Sequence, residues 1–286
     1  MSIVITGATG QLGRLVIADL LAAGIPADGI TAVARSKEKA ADLAAEGVKV
    51  AIADYDEPST FDEVFSAGDR VLLISGTDLG RRIPQHTVVI AGAKAAGVAQ
   101  LAYTSVFGGP KAEMLLAAEH QATEQLILGS GLPYTFLRNN WYTELAVRDV
   151  ADAVQSGAIV NGASPDARLA TATREDYAAA AAVVMSTDGH LNKAYELGGD
   201  VAWTFGEFAA ELSRQTGKPV VHQSLPQKEI LAGLLAAGLP EDLAEVLADV
   251  DTAMSAGVLS ATPGDLSRLT GRPTTPIATT ITKLLG

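Results

Sequence analysis

The chain has 286 residues, with 21 Lys and Arg against 33 Asp and Glu, a formal net charge of −12. That balance excludes a broad electrostatic footprint for nucleic acid or an anionic membrane surface. Hydrophobic residues make up 48% and cysteine is absent, so a sizeable core is expected while disulfides, thiol chemistry and thiolate metal sites are excluded. The longest apolar clusters, such as Ala178 to Met185, fall well short of the roughly 20 residues a membrane span requires, and cytoplasm is the expected compartment.

The chain opens with an apolar run, Ile3 to Thr6, read as a strand. Gly7-Ala8-Thr9-Gly10-Gln11-Leu12-Gly13 follows, and a helix is predicted over Gln11 to Ala23 from the apolar spacing of Leu12, Leu15, Val16, Leu20 and Leu21. In such a loop the glycines serve separate purposes, with a tight turn at Gly7, backbone approach to a diphosphate at Gly10, and close helix packing at Gly13. The amides of the loop, including those of Thr9, Gln11 and Leu12, and the positive end of the helix then hold the diphosphate.

Further strands are predicted at Ile30 to Ala34, Val48 to Ala53, Val71 to Ile74, Leu101 to Thr104 and Tyr134 to Leu137. Helices are predicted at Lys37 to Glu46, Ser59 to Phe65, Ile83 to Ala96 and Met114 to Ser130. This alternation implies an α/β fold, a Rossmann-type doubly wound parallel sheet with helices on both faces. Ligands there bind beyond the carboxyl ends of the strands. After Asn140 the pattern turns mostly helical, with helix starts at Thr173-Arg174-Glu175-Asp176 and Thr204-Phe205-Gly206-Glu207, both near the capping-box form. Ile159 to Val160, Leu169 to Thr173 and Ala194 to Leu197 read as extended. We therefore expect a nucleotide-binding domain over 1–140 and a smaller, closely packed substrate-side region over 141–286 that returns a strand to the sheet.

The residue closing the second strand separates NAD from NADP: an acid binds the ribose 2′-hydroxyl, an arginine the 2′-phosphate. Here Arg35 lies 22 residues after Gly13, with Lys37 and Lys39 just beyond and no acid at the tip. A guanidinium grips phosphate bidentately and keeps its charge near neutral pH, so NADPH is the expected cofactor. Asp54, after the third strand, stands where it can meet the adenine edge or form a turn ahead of Asp56-Glu57-Pro58. Ser75-Gly76-Thr77 ends the fourth strand, where the backbone passes close beneath a nicotinamide ribose.

Typical short-chain dehydrogenases transfer a proton through a tyrosine whose pKa is lowered by a lysine four positions later. None of the six tyrosines here has that lysine. Tyr134 and Arg138 come nearest, but both fall in a predicted strand. The reading that remains is hydride delivery to an acceptor needing little acid help, such as a quinone or a cationic conjugated dye, or nucleotide binding without turnover. His120 is placed to orient substrate or give a proton near neutral pH. After the sixth strand, Asn139-Asn140-Trp141-Tyr142 offers amides for the nicotinamide side and aromatic faces for a flat ring. His120 and Tyr142 are the candidate catalytic residues, and Asn140, Trp141 and Tyr142 the candidate substrate residues. No histidine spacing suits a metal, and the Walker lysine is absent.

The glycine loop, Arg35, Ala53-Asp54-Tyr55, Ala102-Tyr103-Thr104-Ser105, Glu119-His120 with Glu124, Tyr134 to Asn139, Ala172 to Ala178, Ala202-Trp203-Thr204 and Gly271 to Thr275 together resemble the NmrA-like atypical short-chain dehydrogenase/reductase family. Within it the likeness is to NADPH-dependent quinone reductases, with triphenylmethane reductases near relatives. The resemblance implies an NADPH-dependent reductase acting on a small, flat acceptor. It adds Tyr103, Asn139 and Arg174 to the cofactor set. A homodimer is the candidate assembly. The glycine-rich, apolar stretch 106–114 departs from the family pattern, and substrate identity is not carried over. The alternative of a different class is an NADP(H)-sensing regulatory protein with little turnover.

Overall fold

The computed structural model describes residues 2–147 and 149–285. In its first half, short apolar runs become strands and amphipathic stretches become helices: β1 (Ile3–Ile5), α1 (Gln11–Ala22), β2 (Ile30–Ala34), α2 (Ala41–Ala45), β3 (Lys49–Ile52), β4 (Arg70–Leu73), α3 (Arg82–Ala96), β5 (Gln100–Val106), α4 (Ala117–Ser130) and β6 (Tyr134–Asn139). The second half contributes α5 (Thr143–Ala146), α6 (Val150–Ser156), β7 (Ala158–Asn161), β8 (Arg168–Leu169), α7 (Arg174–Ser186), β9 (Lys193–Leu197), β10 (Trp203–Thr204), α8 (Phe205–Thr216), β11 (Val221–Ser224), α9 (Gln227–Ala236), α10 (Glu241–Ser255), α11 (Asp265–Thr270) and α12 (Ile277–Leu285). Among the described residues no helix is long and apolar enough to cross a membrane.

Seven strands form one sheet in the order β3-β2-β1-β4-β5-β6-β9. Strands β1 to β6 pair in parallel, so their carboxyl ends share one edge, and their order is that of a doubly wound nucleotide fold. Because side chains alternate across a strand, each strand supplies both faces. Val4, Val33, Val71, Leu73, Leu101 and Tyr103 bury into a cluster with Phe61, Phe65, Val89, Ile90, Ala93 and Ile127. Ile3, Ile5, Leu72 and Ala102 alternate with them and are equally buried.

The predicted helix over Ser59 to Phe65 is not formed. Only a single 3-10 turn, Pro58–Phe61, occupies that crossover. Phe61 and Phe65 do share a buried face, which is what gave the stretch its helical spacing. The segment is too short, however, to recover the cost of starting a helix.

The chain divides into two compact units. One comprises Met1–Gly109, Glu119–Asn139 and Arg174–Glu196; the other Pro110–Ala118, Asn140–Thr173 and Leu197–Gly286. In the second unit α8 starts with a complete capping box: the Glu207 amide donates to the Thr204 hydroxyl at 3.1 Å and the Thr204 amide to the Glu207 carboxylate at 2.8 Å. Trp203 beside it is buried, its indole N–H donating to Thr171 Oγ1 at 2.9 Å.

In the first unit the end of β6 is held by charge. Arg138 donates to both oxygens of Glu124, at 2.9 and 2.8 Å, and to Glu196 on β9 at 2.9 Å. Glu124 is buried and also accepts from Ser105 Oγ at 2.7 Å. A carboxylate out of water persists only with its donors in place. Glu124→Gln, which leaves Arg138 short of a charge partner, is expected to lower stability by about 3 kcal/mol, read as a reduced urea midpoint by circular dichroism.

Candidate cofactor site

The turn after β1 is built from glycine geometry. Gly7 has a φ of +62°, a left-handed conformation that glycine adopts without strain. The Gly10 amide donates to the Gly7 carbonyl at 3.0 Å, and a Cβ on Gly10 would stand 3.2 Å from that oxygen. At Gly13 a Cβ would meet the Gly7 oxygen at 2.5 Å and the Ala8 Cα at 2.7 Å, so α1 lies against the turn with no room for a side chain. No side chain caps α1, which leaves its first amides to a ligand. Gly7, Gly10 and Gln11 are exposed, Thr9 is half-buried, and the Leu12 side chain points into the core. These features fit a bound diphosphate.

Arg14, absent from the expected set, ties this turn to the next loop. Its Nε donates to the Thr9 carbonyl at 3.1 Å, and its guanidinium donates to the Lys39 carbonyl at 2.7 Å and pairs with Asp42. Arg35 stands exposed directly after β2, and among the described residues it forms no hydrogen bond or ion pair. Lys37 and Lys39 are exposed beside it. The edge is thus locally cationic in an acidic protein. Asp54 forms a turn: its Oδ1 accepts from the Asp56 amide at 3.1 Å and its carbonyl from the Glu57 amide at 3.0 Å.

Ser75, Gly76 and Thr77 follow β4 at the same sheet edge. The Ser75 amide donates to Thr104 Oγ1 at 2.8 Å. Gly76 is gripped from α3: its amide donates to His86 Nε2 at 3.1 Å, and its carbonyl accepts from Arg82 Nε at 2.6 Å. Neither Arg82 nor His86 belongs to the site expected from sequence. The signal available was their place with Gln85 on the stripe of α3 that turns inward, where Val89, Ile90 and Ala93 continue it. Polar residues at the head of a buried stripe have partners to find.

Tyr103 lies within β5, between Leu73 of β4 and Phe136 of β6, with its side chain fully buried. Its hydroxyl pairs with His120 Nδ1 at 2.7 Å, and burial pushes the phenol well above its ordinary value. His120 on α4 is buried as well, and burial, then the neighbouring Arg82 charge, lower its pKa to about 3. Near neutral pH it is an uncharged imidazole tied to Tyr103, not a cationic acid. The same causes lower His86 to about 4.

Asn139 ends β6, and its carbonyl accepts from the Phe107 amide at 3.0 Å. Arg174 opens α7, half-buried. Asn140, Trp141 and Tyr142 belong to the second unit. Both ends of the Asn140 amide are in use there: Nδ2 donates to the Leu259 carbonyl at 3.1 Å, and Oδ1 accepts from the Trp141 amide at 2.7 Å. Trp141 and Tyr142 are half-buried, and Tyr142 bridges to Ala172. Among the described residues no group of three or more His, Cys, Asp or Glu is placed to hold a metal.

A doubly wound sheet with an uncapped glycine turn and a free arginine after its second strand defines a dinucleotide-binding α/β protein. The chain belongs to the NmrA-like family, whose model matches residues 1–261. It is 45% identical over 282 residues to quinone oxidoreductase 2 of Escherichia coli, covering 99% of this chain and 98% of that protein. The crystal structure of the NADPH-dependent quinone oxidoreductase from Escherichia coli in complex with NADPH superposes with a TM-score of 0.96 at 44% identity, covering 99% of this chain and 100% of that one. Triphenylmethane reductase of Citrobacter sp., complexed with NADP(H), gives a TM-score of 0.93 at 41% identity over 99% of each chain.

His86 and His120 bind fewer protons folded than unfolded as pH falls from 6.5 toward about 4 and about 3. Their contribution is therefore present above pH 6.5 and lost on acidification. Urea midpoints are expected to fall from pH 7 to about pH 4.5, and the slope to be shallower in His120→Gln, which keeps a partner for Tyr103.

Proposed function

We propose that the protein is an NADPH-dependent reductase that delivers hydride to a quinone or a similarly flat, conjugated acceptor. The observation that carries this is Arg35, exposed and without a partner among the described residues at the tip of β2, in a chain similar over its whole length to two NADPH-linked reductases. That full-length likeness favours turnover over a purely sensing role.

When bound, NADPH supplies the hydride. The protein's part is binding and placement. The glycine turn and the first amides of α1 hold the diphosphate, and Arg35, with Lys37 and Lys39 near it, holds the 2′-phosphate through charge-assisted hydrogen bonds. Ser75, Gly76 and Thr77 pass the ribose, with Tyr103, Asn139 and Arg174 on the cofactor side. Trp141 and Tyr142 offer flat faces to the acceptor. A quinone that accepts hydride becomes a stabilised hydroquinone anion, which takes its proton from water or a weak acid. The chemistry therefore runs without a tyrosine-lysine relay. His120, neutral and hydrogen-bonded to Tyr103, orients rather than charges its surroundings. The compartment that suits this cysteine-free chain is the cytoplasm.

NADPH is expected to be preferred over NADH. Arg35→Asp should raise KM for NADPH by about tenfold or more, the value of a lost charged contact, and narrow or reverse the preference. Equal use of both cofactors by the unmodified protein would contradict the assignment. NADPH oxidation is expected with small quinones; tight NADPH binding with no turnover across a panel of quinones and conjugated dyes would instead select the sensor.

A further inference from the structure

The Gly76 peptide is held by two arms that begin at its opposite ends and meet on one residue of α4. On one arm the Gly76 amide donates to His86 Nε2 at 3.1 Å, His86 Nδ1 lies 3.0 Å from Thr123 Oγ1, and the Thr123 hydroxyl donates to the Glu119 carbonyl at 2.8 Å. On the other, Arg82 Nε donates to the Gly76 carbonyl at 2.6 Å while its NH1 reaches the Glu119 carboxylate at 3.5 Å. His86 and Thr123 are fully buried, and Arg82 nearly so.

The directions of these bonds are fixed by proton count. Thr123 has one hydroxyl hydrogen, and it goes to Glu119, so its oxygen must accept from His86 Nδ1–H. Nε2 is then bare and receives the Gly76 amide. Only the neutral Nδ1–H tautomer satisfies every group; an N–H on Nε2 would face another N–H. A Cβ at residue 76 would stand 3.2 Å from Gln85 Oε1, a tight contact, and 3.9 Å from His86 Nε2.

We propose that Arg82, His86 and Thr123 are positioning residues that, by fixing the Gly76 peptide, set where the nicotinamide ribose lies and so the aim of the hydride. This rests on the NADPH reading above. The adenylate side is held elsewhere, by the glycine turn and Arg35. A loosened clamp should therefore misplace the reacting end and spare most of the binding.

Thr123→Val keeps the shape but removes the acceptor for His86 Nδ1–H, and Thr123→Ser restores it. Nitrogen-detected NMR of the cofactor-free protein is expected to show His86 as the Nδ1–H tautomer, with the shift of a hydrogen-bonded Nδ1–H in the unmodified and Thr123→Ser proteins and loss of that hydrogen-bond shift in Thr123→Val. With NADPH and a small quinone, kcat of Thr123→Val should fall about tenfold, in line with sub-ångström misplacement of reactants, while KM for NADPH moves less than about threefold. Arg82→Lys, which weakens the other arm, should shift kcat the same way and serves where Thr123→Val does not fold. An Nε2–H tautomer in the unmodified protein overturns the proposal, as do wild-type kcat values in both variants or an equal loss in Thr123→Ser and Thr123→Val. An unmodified protein that fails to bind NADPH overturns the cofactor reading itself; normal turnover with unaffected variants overturns the clamp alone.

Discussion

The approach of α1 to the turn after β1 is the constraint on which the rest of the site is built. Because Gly13 has no Cβ, the helix lies directly against the Gly7 carbonyl and the Ala8 Cα. Its uncapped end therefore faces the sheet edge where β2, β4, β5 and β6 also finish. The next residue, Arg14, carries that placement outward by joining the Thr9 carbonyl to the loop of Lys39 and Asp42. The anion-binding turn and the cationic loop are thereby one mechanical unit. Arg35, without a hydrogen bond or ion pair among the described residues, and Arg14, fully engaged, stand in contrast: Arg14 holds the frame, and Arg35 is spare to it.

Buried polarity sustains the other end of the site. Glu124, Arg138 and Glu196 join α4, β6 and β9 through charge-assisted hydrogen bonds, while His86, Tyr103, His120 and Thr123 form a neutral group between α3, β5 and α4. The histidines remain uncharged because burial, reinforced by the Arg82 charge, opposes a second positive charge. Such groups specify one arrangement, since any shift leaves a donor or acceptor unmet in a dry interior.

Much of the fold was legible because its determinants are local. Strand β2 occupies the predicted Ile30 to Ala34, and α1 and α3 fall within a residue of prediction. The glycine turn and Arg35 were legible for the same reason, each depending on a short spacing. The crossover at Ser59 misleads because Phe61 and Phe65 have helical spacing while the chain there closes only one 3-10 turn. His120 reads from sequence as a candidate acid because its burial comes from packing, which spacing does not report. Arg82 and His86 escape a sequence reading because their partner is a peptide on a turn after another strand. Only the tertiary fold brings a helix to that turn, though polar residues on an inward stripe are there to be noticed.

The turn after β4 also shows how a backbone divides its labour. Both polar groups of the Gly76 peptide are spent on the protein, and the Ser75 amide is spent on Thr104. Among the described residues, what remains along Ser75-Gly76-Thr77 is the Ser75 carbonyl and hydroxyl hydrogen, and the amide, carbonyl and hydroxyl of Thr77. The segment therefore presents a mixture of acceptors and donors whose backbone is fixed at the Ser75 amide and at both polar groups of Gly76. Which polar groups a turn can show to its surroundings is decided by which ones the interior has already consumed.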